Sequence, residues 1–123
     1  MTGFLPLDKV KGLQQEAAII GCPSIWEEPL GKTGLEALAA GSALLTTRRG
    51  GIPEVAAGRA HIVHEPSPEA FAAALRKLIG DDEYRAGLQQ IAWDDFPFTA
   101  TAMASVADRI RIDAIKRSYK AGK

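Results

Sequence analysis

Two glutamates, Glu28 and Glu36, bracket Gly31-Lys32-Thr33 inside the run WEEPLGKTGLEALAAG, and this grouping is the part of the sequence best equipped for chemistry. Gly-Lys-Thr is the tail of a phosphate-binding P-loop, whose opening glycine lets backbone amides curl around phosphates. Trp26 occupies that opening position. A bulky ring follows a left-handed path only at a cost, and the glutamates that follow would repel a triphosphate. The triphosphatase reading therefore falls, but an anion site remains. The stretch follows a strand and opens a helix, so the amides of Gly31, Lys32 and Thr33 and the positive end of the helix dipole are offered to a ligand. Carboxylates beside such a site make sense as acceptors for hydroxyls, such as a ribose edge and a sugar. In a continuous helix their spacing of eight residues turns about 80° past two full turns, so Glu28 and Glu36 would not share a face. The break at Pro29 lets them converge, and the guest expected is a sugar nucleotide.

The elements that must position these groups alternate between helix and strand. Asp8 reads as the cap of a helix through Ala17, with Val10, Leu13 and Ala17 on one face. The run AIIGCP lacks polar alternation, as expected of a strand covered on both sides, and Pro23 ends it. After the loop SIWEEPLG, a helix runs from Lys32 to Ala40 and stops at Gly41. ALLTT is a second strand; the turn RRGGIPE and a short helical piece at EVAAG lead to a third, AHIVH. Ser67 caps a helix with Pro68 in its first position and Phe71, Ala74, Leu75 and Leu78 on its buried face. DDEYRAGLQQIAW is a further helix, and a longer one runs from Thr99 toward Tyr119 with Met103, Val106, Ala107 and Ile110 as its stripe. No repeat and no low-complexity segment interrupts the pattern. Strands separated by helices imply an α/β layer with a parallel sheet, in which ligands bind at the carboxyl ends of the strands.

Composition narrows the partners. With 123 residues and 46% hydrophobic content the chain can bury one core. Lys and Arg together number 15, as do Asp and Glu, so no global field argues for a nucleic-acid partner or a membrane. No charged-then-apolar leader and no long apolar run is present, and the location expected is cytoplasmic. Cys22, the one cysteine, reads as a small buried thiol in its strand. His61 and His64 straddle the third strand without a third ligand, so they read as structural rather than metal-binding. Trp26 reads as packing its loop in preference to stacking on a sugar. Arg48 and Arg49 read as a solvated turn in preference to phosphate ligands. The basic tail, Arg109, Arg111, Lys116, Arg117, Lys120 and Lys123, reads first as a solvated helix end and second as a peripheral contact with an anionic membrane.

The runs PSIWEEPLGKTGLEALAAGSALLTTRRGGIPEV and HEPSPEAFAAALRKLIGDDEYRAGL resemble the C-terminal donor-binding half of retaining GT-B glycosyltransferases of the glycosyl transferases group 1 type, family four. The resemblance covers roughly residues 3–98. Its most specific part is the glutamate pair with glycine between, followed by EALAAG and GGIPE at the family's spacing. It implies that Glu28 is the catalytic-site glutamate beside the transferred sugar's hydroxyls and that Glu36 accepts from the ribose hydroxyls. Gly31, Lys32 and Thr33 correspond to the stretch whose amides meet the sugar and pyrophosphate, and Leu5 to a position beside the base. The implied substrate is a nucleotide-sugar, transferred with retention and with no metal or other cofactor required.

The chain departs from the family pattern at Leu30-Gly31-Lys32, where Phe-Gly-aliphatic is usual, so an extra lysine borders the pyrophosphate crevice. The resemblance also implies a single partial domain over 1–123, the second half of a Rossmann-like doubly wound sheet, with a C-terminal helical extension over 99–120. The basic pair that neutralises pyrophosphate and the acceptor domain would lie outside it. An open edge at Ile19 to Cys22 is then expected to pair with a second copy or a companion polypeptide, and Met103, Val106 and Ile110 form a second interaction face. Two functions stay open: the donor-binding part of a glycosyltransferase, incomplete as a catalyst alone, and a non-catalytic nucleotide-sugar-binding or assembly module of the same fold.

Overall fold

The computed structural model describes residues 2–121. Helix α1 (Leu7–Glu16) leads into strand β1 (Ile19–Cys22), then α2 (Lys32–Ala39), β2 (Ala43–Thr47), α3 (Ile52–Ala56) and β3 (Ala60–Val63). Helices α4 (Pro68–Gly80), α5 (Asp82–Asp94) and α6 (Ala100–Ala121) follow. The three strands form one parallel sheet in the order β1-β2-β3, with Ile19 opposite Ala43 and Leu44 opposite Ala60. This is the α/β, Rossmann-like arrangement that alternating strands and helices demand, since parallel neighbours need a crossover element.

Local chemistry accounts for most helix starts. Ser67 accepts a hydrogen bond from the Ala70 amide at 3.1 Å with Pro68 next in line, and Asp81 accepts from the Tyr84 amide at 2.9 Å. Thr99 does the same for Ala102 at 3.1 Å. The first helix departs from expectation: its cap is Pro6, and Asp8 lies in the first turn. There its charge meets the positive end of the helix rather than bonding a free amide. α3 likewise begins two residues ahead of the EVAAG piece, at Ile52, because Pro53 fits a first turn.

The sheet's period of two divides the core into two clusters. Ile20, Cys22, Leu44, Ala60 and Ile62 face α2 and α3 on one side, where Ala37, Leu38, Ile52 and Val55 meet them. Ile19, Ala43, Leu45 and Val63 face Phe71, Ala74 and Leu78 of α4 on the other. Helix α5 joins both, giving Leu88 to the second cluster and Ala92 to the first. All five residues of β2 are buried, as a central strand requires. β1 is only half-buried, with Gly21 exposed, so the two-sided cover expected from its sequence is incomplete. It lies at the sheet's edge, and α1 sets no buried residue against it.

The side chains of α6 from Met103 to Tyr119 are exposed, so the Met103-Val106-Ile110 stripe lies at the surface. No helix of the described residues is long and apolar enough to cross a membrane.

His61 gives the fold a pH signature. Its Nδ1 lies 3.0 Å from the Tyr84 hydroxyl. Burial, and secondarily the Lys77 ammonium, hold its pKa below the ordinary 6.5. The folded chain therefore binds this proton more weakly than the unfolded chain does, so the stabilising contribution is complete above pH 6.5 and is lost as pH falls through the lower folded value. The His61 ring protons are expected to titrate in NMR with a midpoint below 6.5, and Lys77→Ala to raise it. A midpoint at or above 6.5 in the native chain would contradict this arrangement.

Candidate functional site

Residues from four elements converge on a cavity of about 390 Å³ on the α2/α3 side of the sheet, reaching the carboxyl end of β1. Glu28, Gly31, Lys32 and Thr33 line it together, beside Cys22 and Ser24 and across from Thr46 and Ile52. The amides of Gly34 and Leu35 bond to the Gly31 carbonyl at 2.9 and 3.2 Å, making them the first bonded amides of α2. Those of Lys32 and Thr33 come ahead of that turn, where a helix carries its unsatisfied donors and the positive end of its dipole. No side chain caps this end. Gly31 makes the approach possible: its φ of 72° is left-handed, and a β-carbon there would stand 2.8 Å from Ile52 Cγ1.

Glu36 and Leu5 lie elsewhere. Glu36 borders a separate concavity of about 190 Å³ with Gln14, and Leu5 borders another of about 430 Å³ between α1 and the edge of β1. Pro29 thus does not bring the two carboxylates to one cavity. They are linked through Lys32, which lines the Glu28 cavity while its ammonium stands 3.6 Å from Glu36 Oε1. Gln14 Nε2 donates to the other oxygen of Glu36 at 3.4 Å. The ion pair is exposed and weak, so Lys32 can leave it at little cost.

The floor is held by side chains that the sequence reading had assigned only to the strand. Thr46 donates to the Cys22 carbonyl at 3.1 Å, and Thr47 donates to the Ser24 carbonyl, so both hydroxyls tie the end of β1 to the buried end of β2. Two adjacent threonines closing an otherwise apolar central strand were the available signal, since buried hydroxyls need partners. Cys22 is another unforeseen lining residue; burial, then the nearby Glu28 carboxylate, push its thiol pKa above the ordinary 9.0. Trp26, read as packing its loop, is 70% exposed and lines no part of the cavity, because no neighbouring element reaches it. Arg49 is not a plain solvated turn residue: Nη1 stands 3.8 Å from Glu27 Oε1. Among the described residues no group of three or more His, Cys, Asp or Glu is placed to hold a metal ion.

The arrangement offers amide donors and a cation for an anion, and a carboxylate for hydroxyls a few residues away. Comparison with known proteins gives the family. Residues 1–93 match the family model described as glycosyl transferases group 1. Over 91 residues, 67% of the chain, the sequence is 38% identical to the protein YtcC of Bacillus subtilis (strain 168), whose name describes a glycosyltransferase, and covers 21% of it. It is 37% identical over 88 residues to spore coat protein SA of the same organism, covering 69% of this chain and 23% of that protein. It is 39% identical over 80 residues to alpha-maltose-1-phosphate synthase of Mycolicibacterium smegmatis, covering 62% of this chain and 20% of that enzyme. The chain thus spans between a fifth and a quarter of the length of these relatives.

Proposed function

The chain belongs to the glycosyl transferases group 1 family, and from that premise we propose that it supplies the donor side of a glycosyl transfer site that takes a sugar from a nucleoside diphosphate. The observation that carries this reading is the single cavity shared by the Glu28 carboxylate and the amino end of α2. Glu28 accepts hydrogen bonds from hydroxyls of the transferred sugar. The Lys32 and Thr33 amides and the helix dipole receive the diphosphate, whose negative charge grows as the sugar-phosphate bond breaks with retention. Fixed amides do this without reorganising as the charge develops. Lys32 leaves Glu36 for the phosphates as the ligand enters, which frees Glu36 to accept from the ribose hydroxyls. Leu5 stands beside the base.

The acceptor-binding region and the remaining phosphate cations come from polypeptide other than these elements, and the outer edge of β1, unpaired among the described residues, supports that reading, since a half-buried edge strand is a template for further pairing. A cytoplasmic setting fits a nucleotide-sugar donor.

Calorimetric titration with UDP, GDP and ADP and their sugar conjugates tests the proposal. One nucleotide is expected to bind best, its sugar conjugate more tightly still, and Glu28→Ala to remove the sugar's contribution, a loss of about tenfold for one or two hydroxyl hydrogen bonds to a carboxylate. Glu36→Ala is expected to weaken the free nucleotide and its conjugate alike. A well-folded chain that binds none of these ligands would sink the reading.

A further inference from the structure

Glu28 sits on a loop between β1 and α2 that is exposed over most of its length, yet its carboxylate must be held still to select a sugar. Inside the loop the bonds are short-range, Glu28 amide to Trp26 carbonyl at 2.9 Å and Ser24 amide to Cys22 carbonyl at 2.9 Å. The restraint at its middle comes from the turn after β2. The Gly51 amide donates to the Glu28 carbonyl at 2.7 Å, and the Gly50 amide donates to Glu27 Oε2, also at 2.7 Å. Two consecutive amides thus grip two consecutive residues, one through its backbone and one through its side chain. Arg49 adds its guanidinium 3.8 Å from the other oxygen of Glu27.

We infer that Glu27 is a positioning residue: its carboxylate clasps the 49–51 turn and thereby sets where its neighbour Glu28 enters the cavity. Glu27 does not line that cavity, and its side chain is 72% exposed, so it has no direct duty toward a ligand there. Its reach across 23 positions of sequence to one particular amide is what a mere solvating carboxylate would lack. The acceptor oxygen carries the effect, since a short charge-assisted bond to a backbone amide outweighs an exposed ion pair at 3.8 Å.

The consequence for sugar binding rests on the Glu28 assignment above, whereas the clasp itself can be read without any ligand. Cys22 lines the same cavity and is the one thiol of the chain, so a disulfide reagent such as dithionitrobenzoate reports how open the cavity beside Glu28 is. Glu27→Ala is expected to quicken labelling of Cys22 and amide exchange at Gly50 each about fivefold, the size of one lost hydrogen bond. It is also expected to move the Cys22 titration midpoint down toward 9.0 as Glu28 drifts away. Glu27→Gln, which keeps the acceptor oxygen, is expected to stay within about twofold of the native chain on each. In titration with nucleoside diphosphate and its sugar conjugate, Glu27→Ala narrows the affinity gap between them about fivefold and leaves the nucleotide alone.

Unchanged labelling, exchange and thiol titration in Glu27→Ala would overturn the clasp, as would a Glu27→Gln chain as loose as the alanine variant. A loosened loop with an undiminished preference for the sugar conjugate would overturn its positioning of Glu28. If the native chain itself showed no such preference, the donor reading would fail, while exchange and thiol titration would still decide the clasp.

Discussion

Gly50→Ala is expected to push the Glu28 loop off the sheet and to reduce ligand binding in the cavity by at least tenfold. At Gly50 φ is 51°, a left-handed conformation that costs a residue with a β-carbon about 1–2 kcal/mol. That β-carbon would also stand 2.1 Å from the Glu28 carbonyl oxygen and 2.6 Å from its amide nitrogen. Both obstacles are backbone atoms, so no side-chain rotation relieves the clash and the loop must move as a unit. Gly51→Ala separates the two causes. Gly51 has an ordinary φ of -80°, but its added β-carbon would meet the Pro29 carbonyl oxygen at 2.3 Å. Both variants should lose binding, and Gly50→Ala alone should also lose the conformational 1–2 kcal/mol in urea unfolding. A Gly50→Ala chain that binds as the native one does would show that the close approach does not set the site.

Leu44→Ala carries the largest expected loss of stability, about 2–5 kcal/mol. Leu44 is fully buried in the central strand and packs with Leu38, Ile52 and Val55 in the cluster beside the cavity. Its removal leaves a void between the sheet and the two helices that carry the site, and a domain of this size has only about 5–15 kcal/mol in total. Ile110→Ala serves as the contrast. Ile110 is exposed on α6, and its loss should stay within about 0.5 kcal/mol. Urea midpoints of the two variants measure the difference; a loss below 1 kcal/mol for Leu44→Ala would mean that the cluster is loosely packed.

What could be read from sequence was local or periodic. Ser67-Pro68 announces a helix start because cap and first-turn proline lie next to each other, and ALLTT announces a strand because every position is apolar or a threonine. The grouping of Glu28 with Gly31, Lys32 and Thr33 was likewise legible, since one crossing from strand into helix carries them all. The failures are matters of distance. Whether β1 is covered depends on elements far away in the chain, and its apolar run looks the same at an edge as at a centre. Trp26 suggested packing by its size, but burial needs a second surface, which nothing nearby provides. The bond from Gly50 to Glu27 joins residues whose types favour many other partners, so neither announces the other. Glu36 shows the limit of angular arithmetic: the break at Pro29 released it from the helical spacing without bringing it to Glu28's cavity.

The alternation along β2 has a consequence for how this chain can change over generations. Leu44 belongs to the α2/α3 side, where Thr46 also lines the cavity, while Ala43 and Leu45 belong to α4. Ser42 fixes where the count starts, its hydroxyl bonded to the Ala17 carbonyl at 2.8 Å and the Gln14 carbonyl at 3.0 Å. Gaining one residue directly after Ser42 would turn every side chain of β2 over at once, sending leucine where threonine closes the cavity floor. Descendants of this sequence can therefore exchange letters in β2 but cannot alter its length, and insertions are confined to stretches such as 64–66, where no ladder keeps count.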